Sequence, residues 1–141
     1  MKIKFTALLL STLFLMNCGD DDDTAASYIG TWVATNIDIN SCEDFTQDNF
    51  SSVQCTDQSC YKITLTDSLT YEFQRVLDTE RGTWNSSGVV LTLCRDDEGE
   101  QICDTYIGTL NSSGLRLSEA AEPDGCITSY IMEREVIDET N

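Results

Sequence analysis

Between residues 61 and 74 the chain alternates. Tyr61, Ile63 and Leu65 are apolar against polar Lys62, Thr64 and Thr66; after Asp67-Ser68 the pattern resumes with Leu69, Tyr71 and Phe73 against Thr70, Glu72 and Gln74. A period of two marks strands with one face buried and one wet, so this stretch predicts two strands joined by a short turn. The rest of the chain predicts six more. Residues 28–39 form a mostly apolar, β-branched run without a helical stripe, and a short strand covers 80–84 after Asp78-Thr79. Val89, Leu91 and Leu93 face one way in a strand that reaches Cys94, and strands over 102–110, 115–118 and 126–134 complete the set. Asn85-Ser86-Ser87-Gly88 and Asn111-Ser112-Ser113-Gly114 supply hairpin turns, where glycine suits a positive φ. Gly82-Thr83-Trp84 and Gly108-Thr109-Leu110 precede these turns, a weak internal echo that shared turn chemistry explains. Residues 40–59 are the longest loop, with room for a short helical turn, while 95–101 and 119–125 are charged loops, the latter holding the only proline, Pro123.

Short strands and tight turns in this number specify an all-β antiparallel meander. Left open it would expose two edges, and closure into an up-and-down barrel removes them. The expected fold is therefore an eight-stranded antiparallel up-and-down β-barrel. Alternation places Tyr61, Tyr71, Phe73, Leu91, Leu93 and Tyr106 inside, as candidate lining for a small ligand. A barrel of this size can hold one small ligand or be filled by its own side chains.

The first residues follow another logic. Lys2 and Lys4 precede a 12-residue apolar run, 5–16, diluted only by Thr6, Ser11 and Thr12. Spanning a bilayer takes ~20 residues, so this length fits a signal-peptide core instead. Leu15 three positions before Cys18 resembles the lipobox of bacterial lipoproteins, in which the cysteine is lipidated and becomes the first residue. Asp20 to Asp23 form a solvated acidic leash. They also resemble the export tag behind the lipidated cysteine of surface lipoproteins in some Gram-negative bacteria. The expected plan is a signal peptide over 1–17, a lipidated, acidic tether over 18–27, a barrel over 28–135 and a tail over 136–141. The resemblance implies a cell-envelope protein held in the outer membrane through Cys18 and exposed at the surface.

Cysteine count agrees. Seven is odd, and assigning Cys18 to lipid leaves Cys42, Cys55, Cys60, Cys94, Cys103 and Cys126. Six in a small exported domain read as three disulfides, each worth ~2–4 kcal/mol. The chain has no histidine and no repeated C-x2-C pair, so neither a zinc site nor any other metal or cofactor is expected. The same absence removes Ser/His and Cys/His nucleophilic chemistry, and an enzyme is not expected. Acids number 25 against 8 bases; losing Lys2 and Lys4 leaves 6, for a net charge of −19 over 124 residues. Such a balance excludes nucleic acid as a partner.

Gly30-Thr31-Trp32 at the start of the first strand matches the lipocalin G-x-W. Together with a cysteine-bearing loop, a Gly-Thr-Trp strand and a Leu-x-Leu strand, it makes residues 28–134 resemble the small lipocalin-like domain of bacterial lipoproteins. The resemblance implies that a late basic residue stacks on Trp32 at the barrel base: Arg134 by position, Arg116 second. On a closed barrel the tight turns fall at one end with Trp32, and the long loops and all six paired cysteines at the other. Cys94 and Cys103 bracket one hairpin and should pair. Cys42–Cys126 would clamp the seam and leave Cys55–Cys60; Cys42–Cys60 with Cys55–Cys126 is the alternative, among 15 connectivities in all. The acids Glu43, Asp44, Asp48, Asp57, Asp96, Asp97, Glu98, Glu100, Glu119, Glu122 and Asp124 would rim the mouth, with Arg95 among few bases. Expected partners are thus the membrane through Cys18, and either a small apolar or amphipathic ligand inside or a cationic partner at the rim. The tether would enter at the base and aim the mouth away from the membrane.

Overall fold

The computed structural model describes residues 27–56, 59–119 and 125–136. The signal segment, Cys18 and most of its tether, Asp57, Glu122, Asp124 and the tail beyond 136 lie outside the described residues. Among the described residues nine strands occur in chain order: β1 (Gly30–Asn40), β2 (Asn49–Ser52), β3 (Cys60–Leu65), β4 (Thr70–Val76), β5 (Asp78–Ser87), β6 (Val90–Asp97), β7 (Glu100–Asn111), β8 (Gly114–Glu119) and β9 (Ile127–Arg134). Each of β3 to β8 pairs antiparallel with the next, and β9 returns to β1 along most of its length. The sheet is therefore closed, an eight-stranded antiparallel barrel with β2 as an added strand.

The seam explains why β2 exists. On its second edge β1 bonds to β3 only over 30–33, and beyond that the two strands diverge. The freed edge over 36–39 pairs instead with β2, so backbone groups that would lack partners gain them. This is a difference from the expected continuous loop over 40–59. That segment also holds a short 3-10 turn, Phe45–Gln47, where the Asp44 carboxylate accepts from the Thr46 amide at 3.0 Å.

Two turns depart from the expected ones. The tract 95–101 is no loop: β6 and β7 pair through Asp97 and Glu100, and only Glu98 and Gly99 turn the chain. Their φ values of 53° and 90° are those a two-residue type I′ turn needs, so dense charge does not break the ladder. Likewise β5 runs through Asn85 and Ser86 to Ser87, and the turn is Gly88-Val89. Val89 is 54 % exposed and does not share the inward face of Leu91 and Leu93. The second copy of the echo turns two positions earlier, at Ser112-Ser113, with the Asn111 side chain accepting from the Ser113 amide at 2.8 Å. Asp78 and Thr79 belong to β5, leaving Leu77 alone to connect it to β4.

The base is closed by side chains. Tyr28 and Ile29 precede β1, and the buried Tyr28 donates its hydroxyl hydrogen to the Gly108 carbonyl at 2.9 Å. Trp32 donates its indole N–H back to the Tyr28 carbonyl at 2.9 Å. The Arg134 guanidinium lies 4.7 Å from the Trp32 ring centroid, a cation–π contact worth ~0.5–2 kcal/mol. Arg116, the second candidate, instead bonds Asp38 at 2.7 Å. Above this plug, Ile63, Leu65, Trp84, Leu91, Leu93, Leu115, Leu117 and Met132 fill the lower barrel, all buried.

Candidate functional site

The lower barrel is filled, so a site inside the barrel must lie above it. Inward alternation carries β4 from Tyr71 through Phe73 to Arg75, β6 from Leu91 through Leu93 to Arg95, and β8 from Leu115 through Leu117 to Glu119. Paired residues share a face of the sheet. Hence Glu80 opposite Phe73, Asp104 opposite Leu93 and Tyr106 opposite Glu119 join the same interior storey. One step of the period-two pattern past the aromatic belt thus converts the interior from apolar to ionic.

The candidate lining residues divide between these levels. Tyr71, Phe73, Leu91, Leu93 and Tyr106 are buried, with Leu91 and Leu93 in the filled base. Tyr61 is half-buried nearer the mouth, its ring 5.8 Å from that of Tyr130. Phe73 is the floor of the upper storey: Tyr106 and Tyr130 meet it edge-on at 6.4 and 5.6 Å, and the Arg75 guanidinium lies over its face at 4.5 Å.

Two ion clusters sit on that floor. In one, Arg95 pairs with Asp104 and lies 3.4 Å from Glu80, while the Tyr71 hydroxyl donates to Glu80. In the other, Arg75 donates to the Tyr106 hydroxyl at 2.6 Å and stands 4.0 Å from Glu119, which accepts from the Tyr130 hydroxyl at 2.9 Å. Arg75 keeps donors that no described protein group takes, on a side chain that is one-third exposed. A guanidinium carries five N–H donors, yet Arg75 makes a single hydrogen bond among the described residues, and its buried Nε has no partner. Tyr106 accepts from Arg75 and donates to none of them.

The phenols respond to this setting. Burial pushes the Tyr106 hydroxyl well above the usual tyrosine range, against the pull of the Arg75 charge. Burial, then the Glu119 carboxylate, raises Tyr130; burial and the hydrogen bond to Glu80 raise Tyr71; burial alone raises Tyr28. Because the folded barrel holds these four phenols neutral, their contribution to stability is intact below pH ~10, where unfolded tyrosine is also neutral. It is lost as pH rises from there through their folded values. Absorbance at 295 nm should show four of the five tyrosines ionising late and together with unfolding. Their titration at an ordinary tyrosine pH with the fold intact would contradict the closed storey.

The sequence pattern does not single out Arg75, Glu80, Asp104 or Tyr130, and it places Arg95 and Glu119 on the loop rim. Extending the inward alternation by one residue pair on each strand would have found Arg75, Arg95 and Glu119. The disulfides join Cys42 to Cys126, Cys55 to Cys60 and Cys94 to Cys103, all toward the mouth. Comparison with protein-family models, with curated proteins and with solved structures finds no match.

Proposed function

We propose that this is a lipid-anchored binding protein of the cell envelope, held through Cys18 in the outer membrane, with a lipocalin-like barrel that takes one small amphipathic ligand at its mouth. The lipobox-like segment and acidic leash support the anchor, and the closed barrel supports the binding mode. The observation that carries the ligand reading is Arg75, whose charge is balanced by Glu119 while its hydrogen-bonding capacity is not. A site with charge compensated and donors left over suits an uncharged acceptor, such as an amide or ketone carbonyl. In this reading Arg75 and Tyr106 donate to that group and the rings of Tyr61 and Tyr130 flank the apolar remainder. The carboxylates serve to hold the donors, each being committed to a tyrosine or an arginine. With a chain charge of −17, an anionic ligand would be repelled as it approached.

Native mass spectrometry of protein from its own source should reveal a co-purifying neutral small molecule. With recombinant protein, an alkylaryl amide should bind more tightly than the carboxylate of the same skeleton, read by calorimetry. Arg75→Gln should weaken amide binding about tenfold to a hundredfold, the worth of a hydrogen bond to a charged group. Preference for the carboxylate, or no ligand in either experiment, would overturn this assignment.

A further inference from the structure

The barrel wall is split near its mouth. The β5–β6 ladder ends where Thr83 faces Cys94. Above that point residues 78–82 pair only with β4, and residues 95–97 only with β7. Gly82 permits the split: a Cβ there would fall 2.0 Å from the Cys94 carbonyl oxygen, which folds over it as the strands part. Between the lips lies a cleft of about 300 Å3 lined by Asp78, Glu80, Arg81, Arg95, Asp96 and Asp97. Arg95 and Glu80 meet across it at 3.4 Å and join the two sides where backbone bonds are missing.

Each cation of the slot is already paired, Arg81 with Glu72 at 2.8 Å and Arg95 with Asp104 and Glu80. Asp78, Asp96 and Asp97 belong to none of the ion pairs among the described residues. Beside them Leu77 is 82 % exposed at the tip of the β4–β5 hairpin. Open strand edges template further strands, and main-chain bonds give strand addition its affinity while side chains give it selectivity.

We propose that the slot takes an extended basic polypeptide segment, which adds as a strand to the open edge of β5. The lysines or arginines of that segment answer Asp78 and Asp97, which share the face of Glu80 and Arg95, and an apolar residue covers Leu77. The slot shares Arg95 and Glu80 with the ionic storey inside the barrel, but it does not use Arg75 or Tyr106, on which the ligand reading rests.

The test uses the disulfide-intact protein and an eight-residue peptide of alternating lysine and valine. Hydrogen exchange followed by mass spectrometry should show slot-facing amides in 78–82 exchanging freely in the protein alone and slowing when the peptide is added. A peptide of the same charge with alternate amides N-methylated should bind at least tenfold more weakly, because it keeps the attraction and loses the ladder. Asp78→Asn with Asp97→Asn should reduce both affinity and its salt dependence. Equal binding of the N-methylated peptide, protection elsewhere, or no binding would overturn the proposal. Protection of the same amides by self-association without peptide would assign the slot to a second copy and overturn it as well.

Discussion

Replacing Cys42 and Cys126 together by alanine should cost about 4.5 kcal/mol, the largest loss available from any of the three cross-links. The two residues lie 84 positions apart, against 9 for Cys94–Cys103 and 5 for Cys55–Cys60. Cross-linking limits the unfolded chain in proportion to the logarithm of the loop it closes, which gives roughly 4.5, 2.7 and 2.2 kcal/mol for the three. Position in the fold points the same way. Cys94 and Cys103 already face each other within the β6–β7 ladder, so that hairpin keeps its register without the bond. Cys42 and Cys126 instead flank the end of the β1–β9 pairing, where Asn40 meets Ile127, and this pairing is the one that closes the sheet. Urea unfolding of the three paired-alanine variants should rank them in that order. The seam variant should also show a steeper denaturant slope, because its unfolded state exposes more surface. A loss at the local Cys55–Cys60 loop equal to that at the seam would contradict the ranking.

The closed barrel was legible because an antiparallel sheet with a dry and a wet face writes a period of two into each strand. Tyr61 to Phe73 is the plainest case. The turn at Ser112-Ser113 was legible too, since Asn111 supplies its own side-chain acceptor. The same four-residue motif misled at Gly88. The glycine of the motif can take its positive φ inside the turn, as Gly88 does at 59°, or just after it, as Gly114 does at 142°, so the motif does not fix whether the turn starts at Ser86 or at Gly88. Residues 95–101 misled for a related reason. Charge reads as loop when one strand is considered alone, but both lips of a barrel mouth are wet, so charged strands cost little there. β2 was beyond reach because its partner is an edge of β1 freed only where β3 diverges. The Arg134–Trp32 contact came from a family resemblance rather than from any periodicity, whereas the Tyr28 plug had no signal, lying two residues ahead of its strand. The upper ionic storey had one, since Phe73-x-Arg75, Leu93-x-Arg95 and Leu117-x-Glu119 all continue the inward face. Reading those positions as rim confused the end of the apolar pattern with the end of the strand.

Phe73→Ala should cost about 3–5 kcal/mol, a large share of the ~5–15 kcal/mol that separates folded from unfolded domains. Phe73 is 0 % exposed and stands at the boundary between the apolar base and the ionic storey. Its loss removes buried area, two edge-on aromatic contacts worth ~0.5–1.5 kcal/mol each, and the ring beneath Arg75. Tyr106 and Tyr130 cannot collapse into the space without giving up the hydrogen bonds that hold Arg75 and Glu119. Relaxation is therefore limited, and the cost should fall in the upper part of the range. Phe73→Leu keeps much of the volume and should cost less than half as much. Arg75→Met in the two backgrounds isolates the guanidinium–ring contact: a coupling of ~0.5–2 kcal/mol between positions 73 and 75 is expected. Chemical denaturation of the four proteins of this cycle provides the measurement. Additive losses within ~0.3 kcal/mol would mean that Arg75 gains nothing from the ring below it, and that Glu119 and Tyr106 alone hold it at the mouth.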